Sequence, residues 1–272
     1  MLEGKVVNSK QSLLVACEAG AGNILSSWLK LQTDPDHFTL CLDGPSVRIF
    51  ALAHPDTKKI SLQDFERQPR QFNRVITGSS WMPDLERSAI RIAKEAGIPS
   101  VGIVDHWVNY KERFLPISLW QNPPADWQSY LPDTIWLFDS YAMKIALEIG
   151  YPRERLVQWE NPYLEETRRN IAFHAEKNPP TSEEIRLLYI CEPVADDVEK
   201  TYGDPRHWGF DEYELMDNLL ADLEAQRDSG LRVVARLRLH PNEARGKYDS
   251  WIEKSDLLQA SNSTDLAQDI AW

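Results

Sequence analysis

The sequence predicts an α/β protein of two tandem lobes built on parallel sheets, the second lobe incomplete. Three patterns carry that expectation. Residues 12–17 (SLLVAC) form an apolar run of strand length, followed by the turn EAGAGN and a helical spacing at Ile24, Leu25, Trp28 and Leu29. Strand, glycine turn and helix in that order open a Rossmann-like unit. Residues 74–104 then supply a complete β-α-β unit, whose two strands must be parallel because a helix separates them. The same alternation resumes beyond residue 185 with fewer strands. A length of 272 residues fits this division, since domains run to about 150 residues each.

Taken in order, the run 38–42 (FTLCL) reads as a second strand and 47–53 (VRIFALA) as a third, with short turns between them. Strand 74–78 (RVITG) leads into a helix over 83–97. Pro83 stands near its first turn, Gly97 at its end, and Leu85, Ala89, Ile92, Ala93 and Ala96 keep helical spacing. Strand 98–104 (IPSVGIV) follows directly. A tract rich in proline and tryptophan, 115–133, precedes strand 134–138, helix 140–150 and strand 156–159. A polar helix over 164–177 ends at 178–182 (NPPTS), the best linker in the chain, so the lobes are expected at 1–178 and 179–272. The second lobe reads as strand 185–191, a long loop, helix 211–230, strand 231–239, helix 243–254, a weak strand at 257–258 and a terminal segment 264–272. A doubly wound lobe needs five or six strands. With about half that number and an apolar ending at Ile270-Ala271-Trp272, the chain is expected to be truncated at its C-terminus.

Composition narrows the functions. Thirty basic against 42 acidic residues give a net charge of −12. A surface that acidic repels phosphate backbones, which argues against nucleic acid and anionic membranes as partners but leaves room for a local basic pocket. Cys17, Cys41 and Cys191 are odd in number and far apart, which suits buried thiols in a reducing compartment. The start, MLEGKVVNSK, lacks the apolar segment of a secretion signal, and no run of about 18 apolar residues exists, so a cytoplasmic location is expected. Ten tryptophans hint at a pocket with aromatic walls. P-loop, G-x-S-x-G, H-E-x-x-H and C-x-x-C motifs do not occur.

Open α/β sheets gather ligands at the carboxyl ends of their strands, and that rule selects three segments. Directly after strand 98–104 comes DHWVNYKERF. Asp105 or His106 could accept a substrate proton. Asn109, Tyr110 and Arg113 could orient a polyhydroxylated substrate, and Trp107 could stack on a sugar face. The bland alternative is a strand-to-helix corner capped by Asp105, with the aromatic rings in the core. The second segment ends strand 231–239. Arg236 and Arg238 share a strand face, and His240-Pro241 precedes Glu243, so His240 sits where a phosphate is favoured. A solvated edge strand and a plain turn are the alternative. The third is formed by the small-residue turns: Gly20 and Gly22, which carry G-x-G but not the full dinucleotide fingerprint, and Thr77-Gly78-Ser79-Ser80. Either they line a cleft or they are tight turns. Glu192, Asp196, Asp197 and Glu199 read best as a solvated loop face, and no metal site is expected.

Two tandem lobes, a linker near residue 180 and a strand-end His-Pro resemble glycosyltransferases of the GT-B architecture, most closely the surface-polysaccharide, capsule and sialyltransferase-like branches. The resemblance implies that His240-Pro241 lies by the phosphate of a sugar nucleotide, and that Asp105 is the base on an acceptor-side N-terminal lobe. The segment Trp159-Glu160-Asn161-Pro162-Tyr163-Leu164 looks like the Gly-Asn-Pro crossover of GT-B enzymes and of the related UDP-N-acetylglucosamine 2-epimerases, with Glu160 in place of the glycine. It also implies a donor-gripping glycine turn and acidic residue beyond Trp272.

The resulting expectation is a metal-independent, cofactor-free transferase of cell-surface polysaccharide synthesis, taking a nucleotide-sugar donor and a saccharide acceptor. Asp105 or His106 would deprotonate the acceptor, and Arg236, Arg238 and His240 would hold the donor phosphates. The alternatives are a non-catalytic sugar or nucleotide binder on the same scaffold, and a sugar-nucleotide epimerase or hydrolase. A homo-oligomer is compatible with the sequence.

Overall fold

The computed structural model describes residues 11–177, 184–241, 243–263 and 265–272. The chain divides into two compact units, Met1–Glu166 and Thr167–Trp272. The expected linker at 178–182 lies outside the described residues. The division itself falls earlier, inside a helix.

In unit 1 the elements are β1 (Gln11–Ala16), α1 (Ala19–Lys30), β2 (Phe38–Leu42), α2 (Gly44–Ala53), α3 (Leu62–Arg67), β3 (Phe72–Thr77), α4 (Leu85–Ala96), β4 (Ser100–Ile103), β5 (Thr134–Leu137), α5 (Ser140–Ile149), β6 (Leu156–Gln158) and the first turn of α6 (Pro162–Lys177). The six strands form one parallel sheet in the order β2-β1-β3-β4-β5-β6. After β2 the chain returns past β1 to build β3, so the topological switch point lies between β1 and β3, where ligands of such sheets bind. Strands β1 and β3 bury Leu13, Leu14, Val15, Val75 and Ile76 completely, as a sheet covered on both faces requires. One face packs on Leu25, Trp28 and Phe50, the other on Phe65, Ala89 and Ile92.

Residues 47–53, expected as a strand, belong to α2 instead. Asp43 accepts the Gly44 N–H at 2.7 Å and Pro45 occupies the first turn. Only Ser46 and Phe50, four residues apart, are buried in this helix. The helix start signal overrode the β-branched and aromatic composition. The tryptophans serve packing more than a common pocket: Trp28 and Trp127 are buried, and Trp81 stacks on Trp120 at 4.2 Å.

Unit 2 continues α6 and contains β7 (Ile185–Ile190), α7 (Val194–Tyr202), α8 (Glu212–Asp228), β8 (Val233–Arg238), α9 (Asp249–Ile252), β9 (Leu258–Ala260) and α10 (Leu266–Ile270). Its sheet is parallel, in the order β7-β8-β9. The expected long loop after β7 contains α7, and the expected helix over 243–254 shrinks to α9. There Gly246, at a φ of +82°, turns the chain where a helix would have continued. None of the described helices is long and apolar enough to cross a membrane.

The first turn of α1 lies against the end of β3. A Cβ on Gly78 would stand 2.4 Å from the Cβ of Ala21. Gly78→Ala should therefore force α1 and β3 apart and lower stability by about 1–3 kcal/mol. A thermal melt checks this, and an unchanged midpoint would contradict the contact.

Candidate functional site

At the switch point the chain brings Gly20, Ser79, Asp105 and Arg113 together. Strand β4 delivers Asp105 to the crevice, where its Oδ1 accepts from Arg113 Nη1 at 2.9 Å. Arg113 is itself fixed, donating to the Ser79 carbonyl at 2.6 Å and to the Val108 carbonyl at 3.1 Å. Asp105 Oδ2 presses on the first turn of α1: a Cβ at Gly20 would lie 2.1 Å from it. A side chain at 20 would therefore displace the carboxylate from its place on Arg113. The pair is largely shielded, with the Asp105 and Arg113 side chains 14% and 7% exposed, so loss of either partner would leave a poorly solvated charge.

His106 and Trp107 form the exposed rim. The Trp107 backbone N–H donates to His106 Nδ1 at 3.0 Å, so in the neutral ring Nε2 carries the hydrogen. The Trp107 indole, half exposed, donates to Asp139 Oδ2 at 2.9 Å, and that aspartate caps α5. Asn109 is exposed at a φ of +61°, the left-handed conformation that asparagine tolerates best among non-glycine residues.

Three expected contacts part from the structure. Tyr110 is 1% exposed, donates its hydroxyl to the Ala142 carbonyl and packs on Tyr151, so it is a core residue. Gly22 is buried against Ser46 of α2 and serves helix packing. Ser79 is buried with its hydroxyl on the Ile103 carbonyl at 2.6 Å, and supports Arg113 from behind.

One acid escaped the sequence reading. Glu86, in the first turn of α4, is 1% exposed. Its Oε1 accepts from the Cys17 N–H at 2.8 Å and from Ser80 Oγ at 2.6 Å, tying the ends of β1 and β3 together. Its Oε2 has no hydrogen-bond partner among the described residues. A signal existed: Glu86, Ala89, Ile90 and Ala93 share one helical face, and the other three are buried apolar residues. Burial lifts the Glu86 carboxyl above the ordinary glutamate range, and the bonds from Ser80 and Cys17 offset this only in part. Burial, with nearby carboxylates, also pushes the thiols of Cys17, Cys41 and Cys191 up to about 12, so they are packing groups and not nucleophiles.

In unit 2, Arg238, His240 and Arg245 line a cleft of about 650 Å³ with Ser261, Asn262 and Ser263. The His240-Pro241 corner is held by Glu243, whose Oε2 accepts the His240 N–H at 2.8 Å while Oε1 accepts from Tyr248 at 2.6 Å. Burial pushes the Lys247 ammonium down, but its bonds to Glu212 and Glu243 more than offset that, so it stays charged and balances them. The two strand arginines are already engaged. Asp269, 1% exposed, pairs with Arg236 at 3.5 Å and with Arg238, and also accepts from Ser261 Oγ. Arg236 lies over the Trp272 ring at 3.9 Å and outside the cleft. Glu192, Asp196, Asp197 and Glu199 form no ligand set: among the described residues no three His, Cys, Asp or Glu side chains are grouped to hold a metal.

No protein-family model matches the chain, and no curated protein matches it in sequence. Its fold matches solved structures over nearly its whole length. The UDP-GlcNAc 2-epimerase of Methanocaldococcus jannaschii is similar at a TM-score of 0.56 and 9% identity, over 96% of this chain and 75% of the other. The enzyme of the same name from Neisseria meningitidis, bound to UDP-GlcNAc, scores 0.58 at 11% identity, over 96% and 74%. The Anabaena HepE protein in complex with UDP and glucose scores 0.55 at 10%, over 96% and 72%. The fold is GT-B-like.

The raised Glu86 acid has a testable sign. The folded protein keeps this proton to higher pH than the unfolded chain, so the stability it contributes is greatest below the ordinary glutamate value and falls as pH rises through the raised one. Glu86→Gln should flatten that fall, and the variant should gain on the parent as pH increases. Melting curves from acid to neutral pH check it. Parallel curves would contradict a protonated Glu86.

Proposed function

We propose that the chain binds a uridine diphosphate sugar and acts as a sugar-nucleotide epimerase. The supporting observation is the fold match over almost the whole chain to UDP-GlcNAc 2-epimerases, one of them bound to UDP-GlcNAc, and to S. aureus MnaA with UDP. This favours the epimerase alternative over the polysaccharide transferase that the sequence suggested, and gives no support to the capsule or sialyltransferase branches.

Epimerisation at C2 of a UDP-sugar balances as an elimination and re-addition: a base takes the C2 proton as the C1–O bond to UDP breaks and a C1=C2 double bond forms, and UDP then re-adds at C1 while a proton returns to the other face of C2. It needs groups able to accept and donate a proton, and it needs no acceptor saccharide. In unit 1, Asp105 and His106 have that chemistry. The carboxylate is oriented by Arg113 beside Gly20, and His106 is exposed next to it. Trp107 offers an exposed aromatic face at the same rim, suited to a sugar ring. In unit 2, the cleft beside His240 has the polar lining that a nucleotide diphosphate requires.

Incubation with UDP-GlcNAc alone, followed by NMR of the sugar protons, should show accumulation of the C2 epimer. Asp105→Asn preserves size but removes the base and leaves the Arg113 charge unbalanced, so turnover should drop by about 10²–10⁴-fold and the melting temperature should fall with it. The assay is run below that temperature on protein shown to be folded by circular dichroism. Near-normal turnover would retire Asp105 as the base. Sugar transfer to an added acceptor, with no epimer formed, would return the reading to a transferase.

A further inference from the structure

The cations nearest the His240 corner in sequence are not the ones available to a ligand. Arg236 and Arg238 share the single carboxylate of Asp269, and Arg238 also donates to the Ser263 carbonyl at 3.2 Å. Arg236 does not line the cleft at all. Of the two acids that do, Glu243 is consumed by Tyr248, Lys247 and the His240 N–H, and Asp249 is exposed at the start of α9. Arg245 is different. It lines the cleft, is exposed, and makes no hydrogen bond or ion pair among the described residues. Its guanidinium offers the planar fork of donors that matches phosphate oxygens. Asn262, also exposed and lining the same cleft, adds an uncommitted amide.

We propose that Arg245, and not Arg236 or Arg238, is the cation that binds the diphosphate of a nucleotide in the unit 2 cleft, with His240 and Asn262 beside it. Arg238 instead anchors the wall of the cleft through Asp269. This rests on the sugar-nucleotide reading for the identity of the ligand, but not for the existence of an anion subsite.

Calorimetry on the full chain with inorganic pyrophosphate and, separately, with UDP tests it. The parent should bind both, more weakly as salt is added. Arg245→Ala should weaken both by about tenfold or more, and Arg245→Lys should recover part of the loss. Arg236→Gln should leave both affinities unchanged, with circular dichroism confirming that each variant is folded. Binding of pyrophosphate but not UDP, lost in Arg245→Ala, would sustain the subsite and defeat the uridine nucleotide reading. Unchanged affinity in Arg245→Ala, or no binding of either ligand by the parent, would overturn the assignment.

Discussion

The contact between the first turn of α1 and the ends of β3 and β4 is the constraint on which the unit 1 site depends. Two glycines make it possible. Gly78 admits Ala21, and Gly20 admits the carboxylate of Asp105. With the helix this close, any side chain at residue 20 would meet the Asp105 carboxylate. Arg113 balances its charge, and the buried Ser79 carbonyl holds Arg113 in turn. Such a chain of support keeps a carboxylate oriented before any ligand arrives, which is the condition for effective proton transfer.

The two units handle buried charge in the same way. Lys247 neutralises Glu212 and Glu243, and Asp269 neutralises the strand arginines. These groups set the positions of a corner and a wall. The exposed face of the Trp107 ring at the rim of unit 1 and Arg245 in unit 2 are left to meet a ligand. Glu86 is the exception, a buried acid with one oxygen unpartnered, whose neutral form costs less than an ionised one would in that setting.

How much of this was legible in the sequence follows the range of the interactions involved. The β-α-β unit at 74–104 was readable because the apolar spacing of α4 and the left-handed Gly97 at its end are local signals. Asp105 was readable as a strand-end residue, and so was the His240-Pro241 corner. Residues 47–53 were misread because a short apolar run fits a strand or a helix, and the Asp43-Gly44-Pro45 start signal was given too little weight. Tyr110 was misplaced because only two residues separate the exposed Trp107 ring from the buried phenol, and the left-handed turn at Asn109 lies between them. The ion pairs of Asp269 with Arg236 and Arg238 join residues 31 and more positions apart. No spacing rule reaches that far, so two committed arginines looked available and Arg245 was overlooked.

The proposed epimerase chemistry requires that the chain exchange the C2 proton of a uridine diphosphate sugar with solvent. Incubation of the chain with UDP-GlcNAc in D₂O, without any acceptor, tests it most directly. The account predicts that deuterium enters at C2 of the sugar and that the C2 proton signal decays in step with epimer formation. A C2 proton that persists unexchanged, in a sample shown by calorimetry to bind the sugar nucleotide, would contradict it.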